Sequence, residues 1–185
     1  MPNFIAEDDI ERALLQRLHE DYGYETLNCY TVDPADPVDG SGRTNKREVI
    51  LVDRLRQAIT RLNPEVPPTV IDDVLKELGD ERQVMAPAAA NRELGGLIRD
   101  GARVEYKDSA GKTRRERVRL VNFNEPQENS FLAVSQLWIQ SSGAGPKAGY
   151  RRPDVLLYIN GLPLVFIELK NSNVKLKSGY DDNLT

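Results

Sequence analysis

Two apolar runs near the C-terminal end, Val155-Leu156-Leu157-Tyr158-Ile159 and Leu162-Pro163-Leu164-Val165-Phe166-Ile167, are separated by Asn160-Gly161. That arrangement constrains the fold more than any other stretch, because paired apolar runs around Asn-Gly read as a β-hairpin. Asp154 precedes the first run, and Glu168-Leu169-Lys170 ends the second. Charges on strands that should bury apolar side chains are costly unless they hold a cation or each other.

A register question follows. Residues i and i+2 of a strand share a face, so Glu168 and Lys170 point the same way, with Leu164 and Phe166, while Leu169 lies behind with Val165 and Ile167. A two-residue Asn160-Gly161 loop would set Asp154 opposite Ile167, on the wrong face. A three- or five-residue connection, or a bulge, would set it opposite Glu168. The Asn-Gly signal is therefore expected to mislead here.

Given that geometry, Asp154 and Glu168 would chelate one cation, with the Leu169 carbonyl as a further oxygen ligand. Lys170 would orient the attacking water or support developing negative charge. The competing reading is a structural ion pair on a sheet face, Asp154 with Lys170 or Glu168 with Arg152. With one histidine, His19, and one cysteine, Cys29, a thiolate or two-histidine metal centre is ruled out. Oxygen ligation favours Mg²⁺, Mn²⁺ or Ca²⁺.

Charge is unevenly spread. The whole chain carries −4 and its first 40 residues a local −8. Residues 141–178 carry a local +4, from Lys147, Arg151, Arg152, Lys170, Lys175 and Lys177 against Asp154 and Glu168. Arg151 and Arg152 beside the carboxylates are candidate phosphate contacts, with sheet-edge solvation as the plainer reading. A second basic cluster, Lys112, Arg114, Arg115, Arg117 and Arg119 around Glu116, reads equally well as a solvated strand face.

At 185 residues, 39% hydrophobic and 29% charged, the chain suits one soluble domain spanning 1–185. No apolar run approaches the roughly 18 residues that cross a bilayer, and the acidic start is unlike a signal peptide, so the cytoplasm is expected. Helical spacing predicts a helix from about Asp8 to Asp21 (Ile10, Ala13, Leu14 and Leu18 inward) stopped by Gly23, and another over Asn45–Leu62. A third opens at an N-cap Thr69 and ends at Gly79, and a fourth covers Pro87–Arg99, weakened by Gly95-Gly96. From Ala102 the period becomes two. Arg103–Lys107 and Glu116–Phe123 read as strands around an Asp108–Gly111 turn, Phe131–Gln140 as another, Thr26–Thr31 as a short one, and Thr31–Thr44 and Ser141–Gly149 as loops. Helices followed by strands argue an α+β or α/β domain with helices around a central mixed sheet. Cys29 reads as core, His19 as surface, and Trp138 as a strand residue partly packed on a helix.

The stretches Arg151-Arg152-Pro153-Asp154, Asn160–Asn171, Val121-Asn122-Phe123, Asn129–Gln136 and Asp182–Thr185 closely resemble the N-terminal nuclease domain of the motor (R) subunit of type I restriction enzymes. The resemblance spans roughly residues 7–185. It implies a PD-(D/E)xK nuclease core with Asp154, Glu168 and Lys170 as the metal and catalytic residues. It also implies an acidic residue on the first helix, for which Glu11 is the best match and Glu7 the second, a solvated helix position being the equal alternative. Implied with these are Mg²⁺ (Mn²⁺ as alternative), double-stranded DNA as substrate, Lys175 and Lys177 with Arg151 and Arg152 as DNA contacts, and methylation and specificity subunits as partners. The family's Gln-x-x-x-Tyr element and the P-loop that ATP-driven translocation needs are not in the sequence. Gly111-Lys112-Thr113 is a decoy, since no glycine precedes it at the required position and a strand follows. The sequence therefore reads as an N-terminal piece, with ATP serving only the full-length subunit. The other readings are a DNA-clamping or subunit-docking module on the same fold, and a nuclease of DNA repair or of RNA.

Overall fold

The computed structural model describes residues 6–79, 87–141 and 149–170. They fall into two compact units, one holding the residues up to Leu51 together with those from Phe131 on, the other Val52–Ser130.

The first unit carries a mixed four-stranded sheet. Helix α1 (Glu7–Tyr22) has three acids in its first turn, which complement the helix dipole, and ends at Gly23 with φ +69°. The Gly23 N–H donates to His19 O and the Tyr24 N–H to Leu18 O. No residue of α1 is fully buried. Ile10, Leu14 and Leu18 are half-buried, and Ala13, expected inward, is exposed. Strand β1 (Glu25–Asn28) runs parallel to β4 (Phe131–Ser135). Strands β7 (Val155–Ile159) and β8 (Leu162–Ile167) extend the sheet antiparallel, in the order β1-β4-β7-β8. A second small sheet pairs β5 (Ile139–Gln140) with β6 (Tyr150–Arg151). Cys29, Leu51, Leu132, Val134, Leu137, Leu156 and Tyr158 form the buried core on which these strands close.

The loop before Leu51 is held by a buried charge cluster. Asp39 Oδ2 accepts from Arg43 Nη2 and from Lys46 Nζ, both at 2.7 Å, while Arg43 also donates to the Glu48 and Trp138 carbonyls. This explains why the helix expected from Asn45 starts only at Val52. Asn45 Oδ1 accepts the N–H groups of Arg47 and Glu48, the Val49 carbonyl accepts the Tyr158 hydroxyl, and the Leu51 N–H donates to Gly161 O. Tertiary partners take the backbone groups a helix would have used.

The single strand expected over Phe131–Gln140 is broken at Gln136, whose φ is +59°. Its N–H donates to the Asp154 carbonyl at 3.1 Å, turning the chain between β4 and β5. Trp138 lies in that break rather than on a strand.

In the second unit, α2 (Val52–Leu62) buries Leu55, Ala58, Ile59 and Leu62, and α3 (Pro68–Gly79) buries Val70, Ile71, Val74, Leu75 and Leu78. The Pro67 carbonyl, not a Thr69 cap, opens α3, accepting from Val70 and Ile71. Proline at the first helical position loses nothing there, because its missing N–H would have had no partner. Gly79 is the last helical residue, without left-handed backbone. Helix α4 (Pro87–Asp100) continues through Gly95-Gly96 and ends at Gly101, φ +79°. Strand β2 (Ala102–Lys107) pairs antiparallel with β3 (Thr113–Val118). The expected continuation of β3 to Phe123 does not form, because Asn122 Oδ1 accepts the N–H groups of Asn124 and Glu125 and turns the chain. Gly111-Lys112 lies in the β2–β3 turn, where Asp108 Oδ1 accepts from Ala110 and Lys112. No described helix is long and apolar enough to cross a membrane. The α+β class with a central mixed sheet is thus what the fold shows, consistent with a PD-(D/E)xK-like core.

Candidate active site

The site is set by one irregularity in the β7–β8 hairpin. Asn160 (φ +54°) and Gly161 (φ +86°) do form a two-residue turn, with Ile159 facing Leu162. Asn-Gly is suited to that turn because both positions need positive φ. The expectation that the Asn-Gly signal misleads is thereby corrected. A register shift does the work instead, since Tyr158 faces Pro163 and Leu157 faces Val165. Leu164, expected on the site face, is the extra residue of this bulge. From there Leu156 meets Phe166 and Val155 meets Ile167, so the next rung sets Asp154 beside Glu168.

The contacts at that rung are short and specific. The Leu169 N–H donates to Asp154 Oδ2 at 2.6 Å, and Lys170 Nζ donates to Glu168 Oε1 at 2.8 Å. Glu168 Oε2 is buried and has no hydrogen-bond partner, a state shared among the described side chains only with Ser135 Oγ. A buried carboxylate oxygen left without a donor is costly. The neighbouring fields fit this picture. Burial pushes the Asp154 carboxyl above its usual range and the Glu168 charge adds to that, while the Leu169 N–H and Lys170 oppose it. The hydrogen bond to Glu168 holds the Lys170 ammonium above its usual value.

Helix α1 brings Glu11 to the same place. Glu11 Oε2 accepts from Gln136 Nε2 at 2.5 Å. Burial raises its carboxyl, Gln136 opposes this, and the Asp154 charge raises it further. The Glu7 charge reaches Asp154 too. Among the described residues no three histidine, cysteine or acidic side chains converge to hold a metal. The donor set that fits a hard cation is thus the Asp154–Glu168 pair with its orphaned Oε2, and Glu11 is held beside it by Gln136.

Arg152 does not pair with Glu168. Its guanidinium lies 4.8 Å from the Trp138 ring centroid and 5.5 Å from that of Tyr30, and its charge reaches Glu11. Arg151 is exposed on β6. Lys175 and Lys177 lie outside the described residues, as does most of the Ser141–Gly149 loop with Lys147. Of the residues outside the site, His19 is exposed with its ring nitrogen at Tyr24 O, and Cys29 is fully buried, its thiol pushed up to about 12 mainly by that burial. Sequence reasoning did not single out Gln136 as a site residue. A glutamine in an apolar strand pattern carries no such signal, and only its backbone turn and its two partners reveal it.

The model of the Type I restriction enzyme R protein N terminus matches residues 4–185. The chain belongs to this family. Within it, the chain is 40% identical over 169 residues to the Type I restriction enzyme HindI endonuclease subunit of Haemophilus influenzae, covering 90% of the chain and 15% of that protein. It is 28% identical over 180 residues to the putative type I restriction enzyme MjaIXP endonuclease subunit of Methanocaldococcus jannaschii, covering 95% of the chain and 16% of that protein. The chain therefore spans about a sixth of the length of each of these relatives.

Proposed function

We propose that this chain is the nuclease domain of a type I restriction enzyme R subunit, which hydrolyses phosphodiester bonds of double-stranded DNA with Mg²⁺, or Mn²⁺ in its place. The observation that carries the reading is the bulged hairpin that brings Glu168 within the field of Asp154, with Glu168 Oε2 buried and partnerless and Lys170 on the other oxygen. Asp154, Glu168 and the Leu169 carbonyl would hold the cation, and family membership supports a nuclease role. When bound, the cation supplies a more acidic water and stabilises charge on the scissile phosphate.

The chain's own residues do the rest. The Leu169 N–H fixes Asp154 so that its other oxygen is aimed without loss of rotamer freedom at each turnover. Lys170 donates to Glu168 Oε1 and presents a cation where negative charge develops. Glu11, held by Gln136, adds negative field beside Asp154 and orients solvent there. Arg151 and Arg152 contact backbone phosphates, with Lys175 and Lys177 as further contacts, so binding is sequence-blind and salt-dependent. Site choice falls to methylation and specificity subunits, and ATP-driven translocation to motor domains outside these 185 residues, all in the cytoplasm.

Calorimetric titration of Mn²⁺ into wild type and Asp154→Ala tests the reading. Binding that the substitution abolishes is expected. No binding by either protein would favour instead a clamping or docking module on the same fold.

A further inference from the structure

Of the basic cluster left unassigned by the sequence, Arg115 and Arg117 share one face of the β2–β3 ribbon with Arg103 and Lys107, while Lys112 lies in the turn, Arg114 on the other face and Arg119 beyond the strand. Strands of a ladder alternate faces, and directly opposed residues share one. Arg103 opposes Arg117, Glu105 opposes Arg115, and Lys107 opposes Thr113, and all six are exposed. The other face carries Ala102, Val104, Tyr106, Arg114, Glu116 and Val118, which include every buried or half-buried residue of the ribbon. The outward face thus holds four cations and a single acid, and that acid is already paired with Arg115 Nε at 2.7 Å.

Two details argue against plain solvation. Like charges set directly opposite one another destabilise a ladder, yet Arg103 faces Arg117 at the root of the ribbon. Nearby, Asp100 at the end of α4 is held below its usual value, chiefly by its hydrogen bond to Arg99, with the Arg117 and Arg103 charges acting the same way. That acid is shared among three arginines and cannot neutralise them. Among the described residues, neither Arg103 nor Lys107 has a hydrogen-bond or ion-pair partner. Guanidinium groups set in a row on a paired ribbon suit phosphate oxygens, which they bind bidentately.

We propose that the outward face of the β2–β3 ribbon, through Arg103, Lys107, Arg115 and Arg117, is a second contact surface for the phosphate backbone of duplex DNA. It is carried by a different unit from the one that carries Asp154 and Glu168. The proposal rests on duplex DNA being this chain's substrate, and on nothing about the metal site. The contact is with the sugar-phosphate backbone.

Anisotropy of a fluorescein-labelled 30-base-pair duplex, titrated with the 185-residue chain in EDTA between about 50 and 200 mM NaCl, tests it. Arg103→Gln with Lys107→Gln removes two unpaired cations and no internal hydrogen bond. It should lower the slope of log K against log salt by about 1.8, roughly 0.9 per phosphate contact, and weaken binding about tenfold at the lowest salt. Arg47→Gln with Lys76→Gln, an equal charge change on other exposed positions, should alter binding less than about threefold. Glu105→Gln, which deletes the face's one acid, should tighten binding, so a folding defect cannot mimic the result. Equal effects of the two double variants would overturn the proposal, as would wild type with no duplex affinity at 50 mM NaCl. Tighter binding of labelled poly-glutamate than of duplex would also overturn it and mark the face as a dock for an acidic protein. Ribbon-dependent duplex binding by a chain that takes up no Mn²⁺ would sink the nuclease reading alone.

Discussion

Asp154 Oδ2 accepts the backbone N–H of Leu169, fifteen residues along the chain, at 2.6 Å. The bond locks the end of β7 to the residue between Glu168 and Lys170. It leaves Asp154 in a half-buried place beside another carboxylate, the setting in which the proposed cation would offset the burial of charge.

Burial and Glu168 raise the Asp154 carboxyl, so its folded form binds a proton more tightly than its unfolded form. The stability it contributes is present below the usual carboxylate value of 3.8 and is lost as pH rises through the raised folded value. At pH 7, Asp154→Asn should therefore melt no lower than wild type without metal. Saturating wild type with Mn²⁺ at about 100 times its Kd should raise Tm by about 5–10 °C. At pH 5 the gain should shrink as protons compete, and in Asp154→Asn it should vanish. Scanning calorimetry at both pH values checks this.

Among the described residues, Lys170 Nζ hydrogen-bonds to Glu168 Oε1. Lys170→Met should leave Mn²⁺ binding nearly unchanged and lower DNA cleavage by the intact R subunit, assembled with its partner subunits and ATP, about 10²–10³-fold. Loss of Mn²⁺ binding along with cleavage would mean that Lys170 holds the site together rather than serving the reaction.

Glu11 lies beside the pair, held by Gln136, and not within it. Glu11→Gln should weaken Mn²⁺ by about tenfold, whereas Glu168→Ala should abolish binding. Equal losses in the two titrations would make Glu11 a direct ligand.

Asp39 anchors the loop before Leu51. Burial alone would raise its carboxyl, but hydrogen bonds from Lys46, Ser41 and Arg43 hold it well below the usual range. Its stabilisation is thus present above 3.8 and lost as pH falls through the lower folded value. Asp39→Asn leaves Arg43 and Lys46 buried against a neutral partner and should cost about 3–5 kcal/mol in urea unfolding at pH 7. Wild-type stability would indicate that water reaches the cluster.

Gly101 combines φ +79° with a position where an added Cβ would sit 2.7 Å from the Val118 carbonyl oxygen. Gly101→Ala should destabilise the chain by about 1–3 kcal/mol by urea unfolding, with Mn²⁺ affinity unaltered.

Local chemistry made much of this legible from the residues. Helical spacing gave α1 and its Gly23 stop, the period-two runs gave the two hairpins, and isolated carboxylates among apolar residues marked Asp154 and Glu168. Where local pattern competed with distant partners, it failed. Asn45–Leu51 has helical spacing but spends its backbone groups on Gly161, Tyr158 and the Asp39 cluster. Phe131–Gln140 alternates like one strand, yet Gln136 turns to meet Asp154 and Glu11.

The hairpin itself divides the two kinds of information most sharply. Residue types alone pointed to pairing of both flanking runs, carried in Asn160-Gly161 a turn signal that the register reasoning wrongly discounted, and marked Asp154 and Glu168 as carboxylates in an apolar setting. Which residue opposes which was decided by the bulge at Leu164, and a one-residue shift there would have sent the two carboxylates to opposite faces. The sequence cannot announce that shift, because its energy comes from how β8 packs and twists along β7 rather than from the preference of any single residue.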